Sequence, residues 1–230
     1  NNDPALIEAF LEMMSAERGA GAHTLAAYAH DLLDFAPHAA RGLALASREE
    51  IKAYLRSLSA AGRAPSSQAR RLSALRQFYG FLHGEEIRAD NPADAIDAPR
   101  RARPLPKIVS DADMCALLAA AQAEAKKSAH GKRLLCIVEM LYAGGLRISE
   151  LVTLPLASAR SPGFLLVKGK GGKERLAPLG APARAAIAEY LKVRDKFLAP
   201  GARGAERFLF ASRAGHLTRR RCHQLLKELA

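Results

Sequence analysis

The sequence predicts a mainly α-helical protein with a little β-structure, made of an N-terminal helical domain and a C-terminal mixed α+β domain. Apolar residues recur at helical spacing in residues 1–98 and again beyond residue 109. Two short apolar runs, at residues 164–167 and 175–179, flank a glycine-rich turn and predict one β-hairpin. Three prolines within residues 99–108 mark an extended linker between the domains, because proline disfavours helix.

The N-terminal domain, residues 1–98, is expected to contain four short helices. A proline in a first turn, Ser/Thr caps and a Ser-x-x-Glu capping box are typical signs of helix starts. The expected starts are Asp3-Pro4, Thr24, Ser47 with Glu50, and Ser66 or Ser67, and the expected ends are Ser15, Phe35, Leu58 and His83.

The fourth of these helices has two different faces. The apolar stripe that should face the core consists of Leu72, Leu75, Tyr79 and Leu82. Arg70 and Ser73 point away from this stripe, and Arg76 lies at its edge. A basic face of this kind is typical of a solvated helix and equally of one that contacts phosphates. The pattern leaves both interpretations open.

The C-terminal domain, residues 109–230, is expected to combine helices with the hairpin. Its expected helices cover residues 111–123, 132–142, 148–154, 181–197 and 219–229, with an extended piece at 207–210. Ser110 and Thr218 are expected to cap the first and the last of them. The last helix opens with three arginines, residues 219–221, whose charges oppose the helix dipole. This cluster favours an anionic partner.

Positive charge is concentrated in the second half of the chain. The 230 residues carry 35 Lys/Arg against 23 Asp/Glu, a net charge of +12 with a pI near 10.0. Residues 1–98 hold 10 cationic and 13 acidic residues, residues 99–108 hold four and none, and residues 109–230 hold 21 and 10. This distribution indicates a polyanionic partner for the C-terminal domain and the linker.

The most informative pair of motifs is one arginine before a helix and one lysine-glycine hairpin. Arg147 follows Gly144-Gly145-Leu146 and directly precedes a short apolar helix. A guanidinium is a planar, always-charged fork that suits a phosphate. The hairpin tip at residues 169–173 combines glycines, which allow close backbone approach, with lysines. The tip does not fit the P-loop pattern. Together the motifs predict a phosphate clamp.

The three cysteines and the N-terminus exclude several classes of protein. Cys115, Cys136 and Cys222 are too few and too scattered for a disulfide scaffold or a zinc site, and the first two are expected in the core. No signal peptide or membrane-length apolar run is visible. A reducing cytoplasm is the simplest expectation.

These stretches resemble the tyrosine recombinases, and within them the Xer type most closely. Residues 141–154 (LYAGGLRISELVTL) and 169–179 (GKGGKERLAPL) resemble the catalytic domain. Residues 69–78 (ARRLSALRQF) and 23–32 (HTLAAYAHDL) are similar to the core-binding domain, although the family commonly has arginine near Ala29 or His30. The resemblance covers nearly the whole chain. It implies a four-helix, SAM-like core-binding domain followed by a partial catalytic domain, with a linker that lets the two clamp DNA.

The resemblance also implies a chemistry. Tyrosine recombinases break one DNA strand through a 3′-phosphotyrosyl link and need no metal or nucleotide cofactor. Arg147 matches the first of the family's two phosphate-binding arginines, and Glu150 matches the acidic residue that orients it. Lys170 matches the hairpin lysine that protonates the departing 5′-oxygen. The implied partners are double-stranded DNA and a second recombinase, self or paralogous, in a tetrameric synapse, with no membrane and no small-molecule substrate.

The expected DNA contacts come from both domains and the linker. Each is a cation or a hydroxyl at a helix start, and it lies in a stretch that resembles the family, in the basic linker, beside the hairpin tip or at the start of the last helix. The set is Thr24, Arg70, Arg71, Arg76, Arg101, Arg103, Lys168, Lys173, Arg175, Thr218, Arg219 and Arg220.

The nucleophilic tyrosine is not expected among the residues of this chain. The tyrosines are Tyr28, Tyr54, Tyr79, Tyr142 and Tyr190, all within helical patterns ahead of where the family's nucleophile belongs, and Tyr142 is expected in the core. The family's His-x-x-Arg helix and tyrosine would lie beyond Ala230. The expectation is therefore that the natural protein continues, and that this polypeptide alone binds DNA without cleaving it.

Three functions are compatible with the sequence. The first is a Xer-like site-specific recombinase that resolves chromosome or plasmid multimers beside the nucleoid. The second is a phage or transposon integrase with the same two domains. The third is a non-catalytic DNA-binding relative that kept the clamp and lost the nucleophile.

Overall fold

The computed structural model describes residues 2–99, 108–160, 163–169, 173–199, 201, 204–213 and 215–230. The chain divides into two compact units, Asn1–Leu105 and Pro106–Ala230. The first is helical, and the second combines helices with two small antiparallel hairpins. The predicted fold class is therefore confirmed. No helix in the described ranges is long and apolar enough to cross a membrane.

The first unit contains the four predicted helices. They are α1 (Asp3–Ala16), α2 (Ala22–Phe35), α3 (Arg48–Ala60) and α4 (Pro65–Gly84), and short 3₁₀ turns at Ala36–His38 and Leu43–Leu45 connect α2 to α3. Phe10 and Phe78 meet edge to face at its centre, with ring centroids 5.5 Å apart. The predicted stripe of α4 is fully buried. Each such side chain contributes about 1.5–3 kcal/mol by leaving water.

The starts of these helices test the capping predictions. The capping box before α3 is confirmed: Ser47 Oγ accepts from Glu50 N at 3.2 Å, and Glu50 Oε2 accepts from Ser47 N at 2.6 Å. The cap predicted at Thr24 is wrong, because α2 already begins at Ala22. The start predicted at Ser66 or Ser67 is also wrong. Pro65 occupies the first turn of α4, where its fixed φ favours helix and its missing N–H is not needed.

The second unit contains helices, two hairpins and short 3₁₀ turns. Its elements are α5 (Asp111–Lys127), α6 (Ala129–Gly144), α7 (Ile148–Val152), β1 (Phe164–Lys168), β2 (Glu174–Pro178), α8 (Ala181–Leu191), β3 (Ala211–Ser212), β4 (Gly215–His216) and α9 (Arg219–Leu229). Ser110 and Thr218 cap α5 and α9 as predicted. The helix predicted to end at residue 197 ends at Leu191 and is followed by a 3₁₀ turn, Arg194–Phe197.

The two hairpins differ in how well the sequence predicts them. The predicted hairpin forms with Val167 opposite Arg175, and it buries Leu165 and Val167 while Phe164 and Leu166 face outward. The β3–β4 hairpin was not predicted, because strands of two residues are too short to show a period of two. The extended piece predicted at residues 207–210 reduces to a single bridge between Pro155 and Phe208.

Close packing of α5 on α6 shapes the second core. A Cβ added to Gly131 would lie 1.8 Å from the Glu124 carbonyl oxygen, so only glycine fits at this approach. Cys136 and Cys222 are buried in the core. The prediction that Cys115 is buried is wrong, because it lies on the exposed face of α5.

Candidate active site

Arg147 occupies the junction between two helices. α6 ends at Gly144, and its C-cap Gly145, with a positive φ of 53°, turns the chain away from the helix axis. Leu146 then anchors the turn in the core at 7% exposure, and Arg147 is the N-cap of α7 with extended backbone angles. This placement sends the guanidinium past the end of a helix. The Arg147 side chain is 66% exposed, although its backbone is fixed by buried Leu146 before it and by α7 after it.

Glu150 fixes the orientation of Arg147 through two hydrogen bonds. It lies at the third position of α7, with its side chain only 5% exposed. Its Oε2 accepts from Arg147 N at 2.8 Å, and its Oε1 accepts from Arg147 Nη1 at 2.7 Å. One carboxylate therefore caps the helix and holds the arginine side chain. A guanidinium held this way keeps its remaining N–H donors for another acceptor.

Arg175 joins this pair from β2. Its Nη2 donates to Glu150 Oε2 at 3.1 Å and to the Gly145 carbonyl at 3.0 Å, and its Nη1 donates to the Gly144 carbonyl at 3.2 Å. Arg175 thus ties the hairpin to the α6–α7 junction. Its side chain is 38% exposed. The arrangement supplies an anchor for the hairpin and a second cation beside Arg147.

The charges of these three groups leave a net positive site. Burial acts to raise the pKa of Glu150, but the hydrogen bonds from Arg147 and Arg175 outweigh it and hold that pKa below its ordinary value. The carboxylate is therefore ionised at neutral pH. Two guanidiniums share one carboxylate, and the excess charge favours an anion.

The hairpin approaches this site at Gly169. Its N–H donates to the Lys173 carbonyl at 2.7 Å and closes the mouth of the turn. A Cβ added at Gly169 would lie 3.4 Å from that carbonyl oxygen and 3.8 Å from both Arg147 Nη1 and Glu150 Oε1. The structure thus brings the two predicted motifs together. Lys170 lies outside the described residues, as does the side chain of Lys168.

A second cluster of arginines and carboxylates lies in the first unit. Asp31 is fully buried on α2 and bonds to Arg70. Arg71 pairs with Asp34 and Tyr54, and its side chain is only 9% exposed. Because this position removes Arg71 from solvent, it argues against the predicted DNA contact, and we exclude Arg71 from the proposed set. The apolar periodicity of α4 did not predict that Asp31 and Asp34 of α2 would pair with Arg70 and Arg71.

The other predicted DNA contacts in the described residues are either bonded to groups of the protein itself or exposed. Arg76 donates to the carbonyls of Ala93 (3.2 Å) and Ile96, so it ties down the segment after α4. Thr218 Oγ1 accepts from Arg221 N at 3.1 Å and caps α9. The exposed residues are Arg70, Lys173, Arg219 and Arg220, and Thr24 is half-buried. Arg101 and Arg103 lie outside the described residues.

The five tyrosines differ widely in exposure. Tyr54, Tyr79 and Tyr190 are buried, and burial raises the pKa of each hydroxyl far above its ordinary value. A buried phenol of this kind is poorly suited to act as a nucleophile. The prediction that Tyr142 lies in the core is wrong, because it is 59% exposed on α6. Its face of α6 lines an open groove with α5 and α9.

Taken together, the fold and the site define a two-domain protein whose second domain holds two arginines on one buried carboxylate. Comparison with protein-family models assigns residues 7–86 to the N-terminal SAM-like domain of phage integrases and residues 108–230 to the phage integrase family. The chain belongs to this family, the tyrosine recombinases, which are enzymes that break and rejoin DNA.

Two curated relatives illustrate the similarity. The chain is 50% identical to tyrosine recombinase XerD of Caulobacter vibrioides, over 98% of this chain and 75% of the relative. It is 45% identical to XerD of Rhizobium meliloti, over 98% of this chain and 74% of the relative. The chain thus spans about three quarters of the length of these relatives. The predicted resemblance is confirmed.

Solved structures share the fold at low identity. A lambda integrase dimer bound to a core site matches with a TM-score of 0.68 and 17% identity, over 98% of this chain and 79% of that one. The XerH recombinase bound to a palindromic difH substrate matches with a TM-score of 0.67 and 17% identity, over 97% of this chain and 66% of that one.

Proposed function

We propose that the chain carries one half of the active site of a Xer-type site-specific recombinase that resolves chromosome or plasmid multimers. One observation carries the proposal: buried Glu150 holds the exposed guanidinium of Arg147 beside the hairpin, with Nη1 3.8 Å from where a Cβ on Gly169 would lie. The XerD relatives favour the Xer role over that of a phage or transposon integrase.

In this proposal Arg147 binds the scissile phosphate. Its guanidinium is fixed by Glu150 before DNA arrives, so little reorganisation is needed when charge develops on the phosphate oxygens. Arg175 adds positive charge beside it and keeps the hairpin in place. Donors that are already oriented stabilise a transition state more than donors that must be ordered during the reaction.

Lys170 is the proposed general acid. It follows Gly169, the hairpin residue that lies close to Arg147 and Glu150. Protonation of the departing 5′-oxygen requires an ammonium near the leaving group. No tyrosine of this chain is proposed as the nucleophile, and burial argues against Tyr54, Tyr79 and Tyr190.

The proposed DNA contacts come from both units. Arg70 on α4, Lys173 on the hairpin and Arg219 and Arg220 on α9 supply positive charge. The fold relatives were solved as a lambda integrase dimer on a core site and as a tetramer on a Holliday junction. We infer the same partners here, double-stranded DNA and further recombinase protomers, and a location in the cytoplasm at the nucleoid.

A nicked recombination substrate tests this function. A nick beside the cleavage position lets the released fragment diffuse away, so a covalent protein–DNA complex accumulates. The protein expressed from the complete gene should form a complex that resists denaturant and is removed by protease. If salt-sensitive DNA binding is present and no covalent complex forms, the chain belongs to a DNA-binding relative without strand cleavage.

A further inference from the structure

The residues that follow α7 bond to a short segment at residues 206–210, which we call the connecting segment. Leu156 N donates to the Arg207 carbonyl at 2.7 Å, and Leu209 N donates to the Leu154 carbonyl at 2.8 Å. These bonds run in opposite directions between the two stretches of backbone. They attach the connecting segment to the chain that leaves α7, the helix at the candidate active site.

The connecting segment also fixes the start of α9. Leu217 N donates to the Phe210 carbonyl at 2.7 Å, and both side chains are buried in the core of the second unit. The next residue, Thr218, is the N-cap of α9, whose first turn carries the exposed residues Arg219 and Arg220. The placement of the connecting segment therefore sets the distance between α7 and this basic turn.

Arg194, which follows α8, holds the connecting segment by its backbone. Its Nη2 donates to the carbonyls of Glu206 at 2.7 Å and Phe208 at 2.6 Å, and its Nε donates to the Leu209 carbonyl at 3.2 Å. Arg194 is buried, and the carboxylate beside it, on the largely exposed Asp195, lies 3.7 Å from Nη1. The guanidinium thus spends its close hydrogen bonds on three residues of one segment.

We propose that Arg194 is a positioning residue for DNA binding, which holds the basic first turn of α9 where it can contact the same DNA as Arg147. The inference rests on the proposed function. Arg194 is buried, so it acts through the connecting segment and does not touch a phosphate itself. Lysine is a poor substitute, because one ammonium on a flexible stem does not reproduce the rigid fork that reaches three carbonyls.

The substitution Arg194→Lys tests this role in the protein from the complete gene. The slope of log affinity against log salt, on DNA with one recombination site, reports how many phosphates are neutralised. Arg194→Lys should reduce this slope by about 1–2, the value for Arg219 and Arg220 together. Arg220→Ala, which should reduce the parent slope by about 1, should have no further effect in the Arg194→Lys background. A role in packing alone would leave the slope of the folded protein unchanged.

The control is Arg76→Lys, because Arg76 also donates to backbone carbonyls, those of Ala93 and Ile96, but in the first unit. It should leave the slope unchanged. Circular dichroism at the titration temperature checks that each variant is folded. If Arg194→Lys does not fold, Tyr190→Phe takes its place. It removes only the bond from Tyr190 Oη to the Leu209 carbonyl, at 3.2 Å, and should lower the slope in the same direction.

The outcomes separate this inference from the proposed function. An unchanged slope in the folded variant would overturn the inference, and so would an equal reduction by Arg76→Lys. A further reduction of about 1 by Arg220→Ala in the Arg194→Lys background would also overturn it, because α9 would still contact DNA. If Arg220→Ala leaves the parent slope unchanged, the inference is wrong, whereas covalent trapping on a nicked substrate still supports the proposed function. A parent protein that does not bind DNA would instead overturn the proposed function.

Discussion

The two units of the molecule each hold one buried carboxylate against two arginines, and they use this arrangement differently. In the first unit, fully buried Asp31 lies beside Arg70 and Arg71, and the Arg71 side chain is 9% exposed. In the second, Glu150 is 5% exposed, but the Arg147 side chain is 66% exposed. The Arg71 guanidinium is enclosed within its unit, whereas the Arg147 guanidinium is open to a ligand.

The position of each arginine in its helix explains the difference. Arg71 lies in the middle of α4 on the face that packs toward α2, so its guanidinium must find partners inside the unit. Arg147 lies at the start of α7, where the backbone has just left α6 and the side chain extends past a helix end. The same residue types thus build packing in one case and a candidate anion site in the other.

The largest expected effect is at Arg71, the enclosed arginine of the first unit. Arg71→Met should lower the free energy of unfolding by about 3 kcal/mol, because it removes a buried guanidinium that pairs with Asp34 and lies beside fully buried Asp31. Urea unfolding measures this. The matched variant Arg147→Met removes an exposed guanidinium and should cost less than about 1 kcal/mol. An equal loss of unfolding free energy in the two variants would contradict the distinction between the two clusters.

The next effect distinguishes two carboxylates that both cap helices. Glu150→Gln should lower the free energy of unfolding by about 1–2 kcal/mol and reduce DNA cleavage, because two guanidiniums lose their shared charge. Glu50→Gln is the control. Glu50 accepts from Ser47 N and Oγ at one oxygen and from Ala40 N at the other, so its substitution changes the cap of α3 and leaves the donors around Arg147 in place. If both variants lose cleavage equally, orientation of Arg147 is not the role of Glu150.

The pH dependence of stability should have opposite signs in the two clusters. Burial, which outweighs Arg70 and Arg71, raises the pKa of Asp31 above its ordinary 3.8. Its contribution is therefore full below pH 3.8 and is lost as pH rises through the folded pKa. Glu150 has a lowered pKa, so its contribution is full above 4.5 and is lost as pH falls.

Urea unfolding at several pH values, with Asp31→Asn and Glu150→Gln, measures these two contributions. The stability difference between parent and Asp31→Asn should shrink as pH rises, and that between parent and Glu150→Gln should grow. If both stability differences changed in the same direction as pH rises, the predicted contrast between Asp31 and Glu150 would be wrong.

The smallest expected effect concerns the exposed cations. Arg220→Ala on α9 should weaken DNA binding modestly and reduce the slope of log affinity against log salt by about 1, the value for one phosphate contact. Arg76→Ala should leave that slope unchanged, since its guanidinium is occupied by backbone carbonyls. A salt titration of both variants compares them. An unchanged slope for Arg220→Ala removes α9 from the proposed interface.

Sequence reasoning was most successful where local chemistry determines structure. The Ser47–Glu50 capping box and the hairpin at residues 164–179 have strong short-range signals, and both formed. It was least successful where burial depends on a partner distant in the chain. The interior position of Arg71 and the exposure of Cys115 and Tyr142 follow from which helix faces meet, and periodicity within one helix does not define this.

The most direct test of the account compares trapping and binding by Arg147→Ala in the protein from the complete gene. Covalent complex on a nicked substrate should fall by about 10²–10³-fold, because the variant loses an oriented donor to the developing charge. DNA affinity should change little, since many other cations contribute to it. A collapse of affinity together with trapping would contradict the account, because Arg147 would then be a general binding or folding residue.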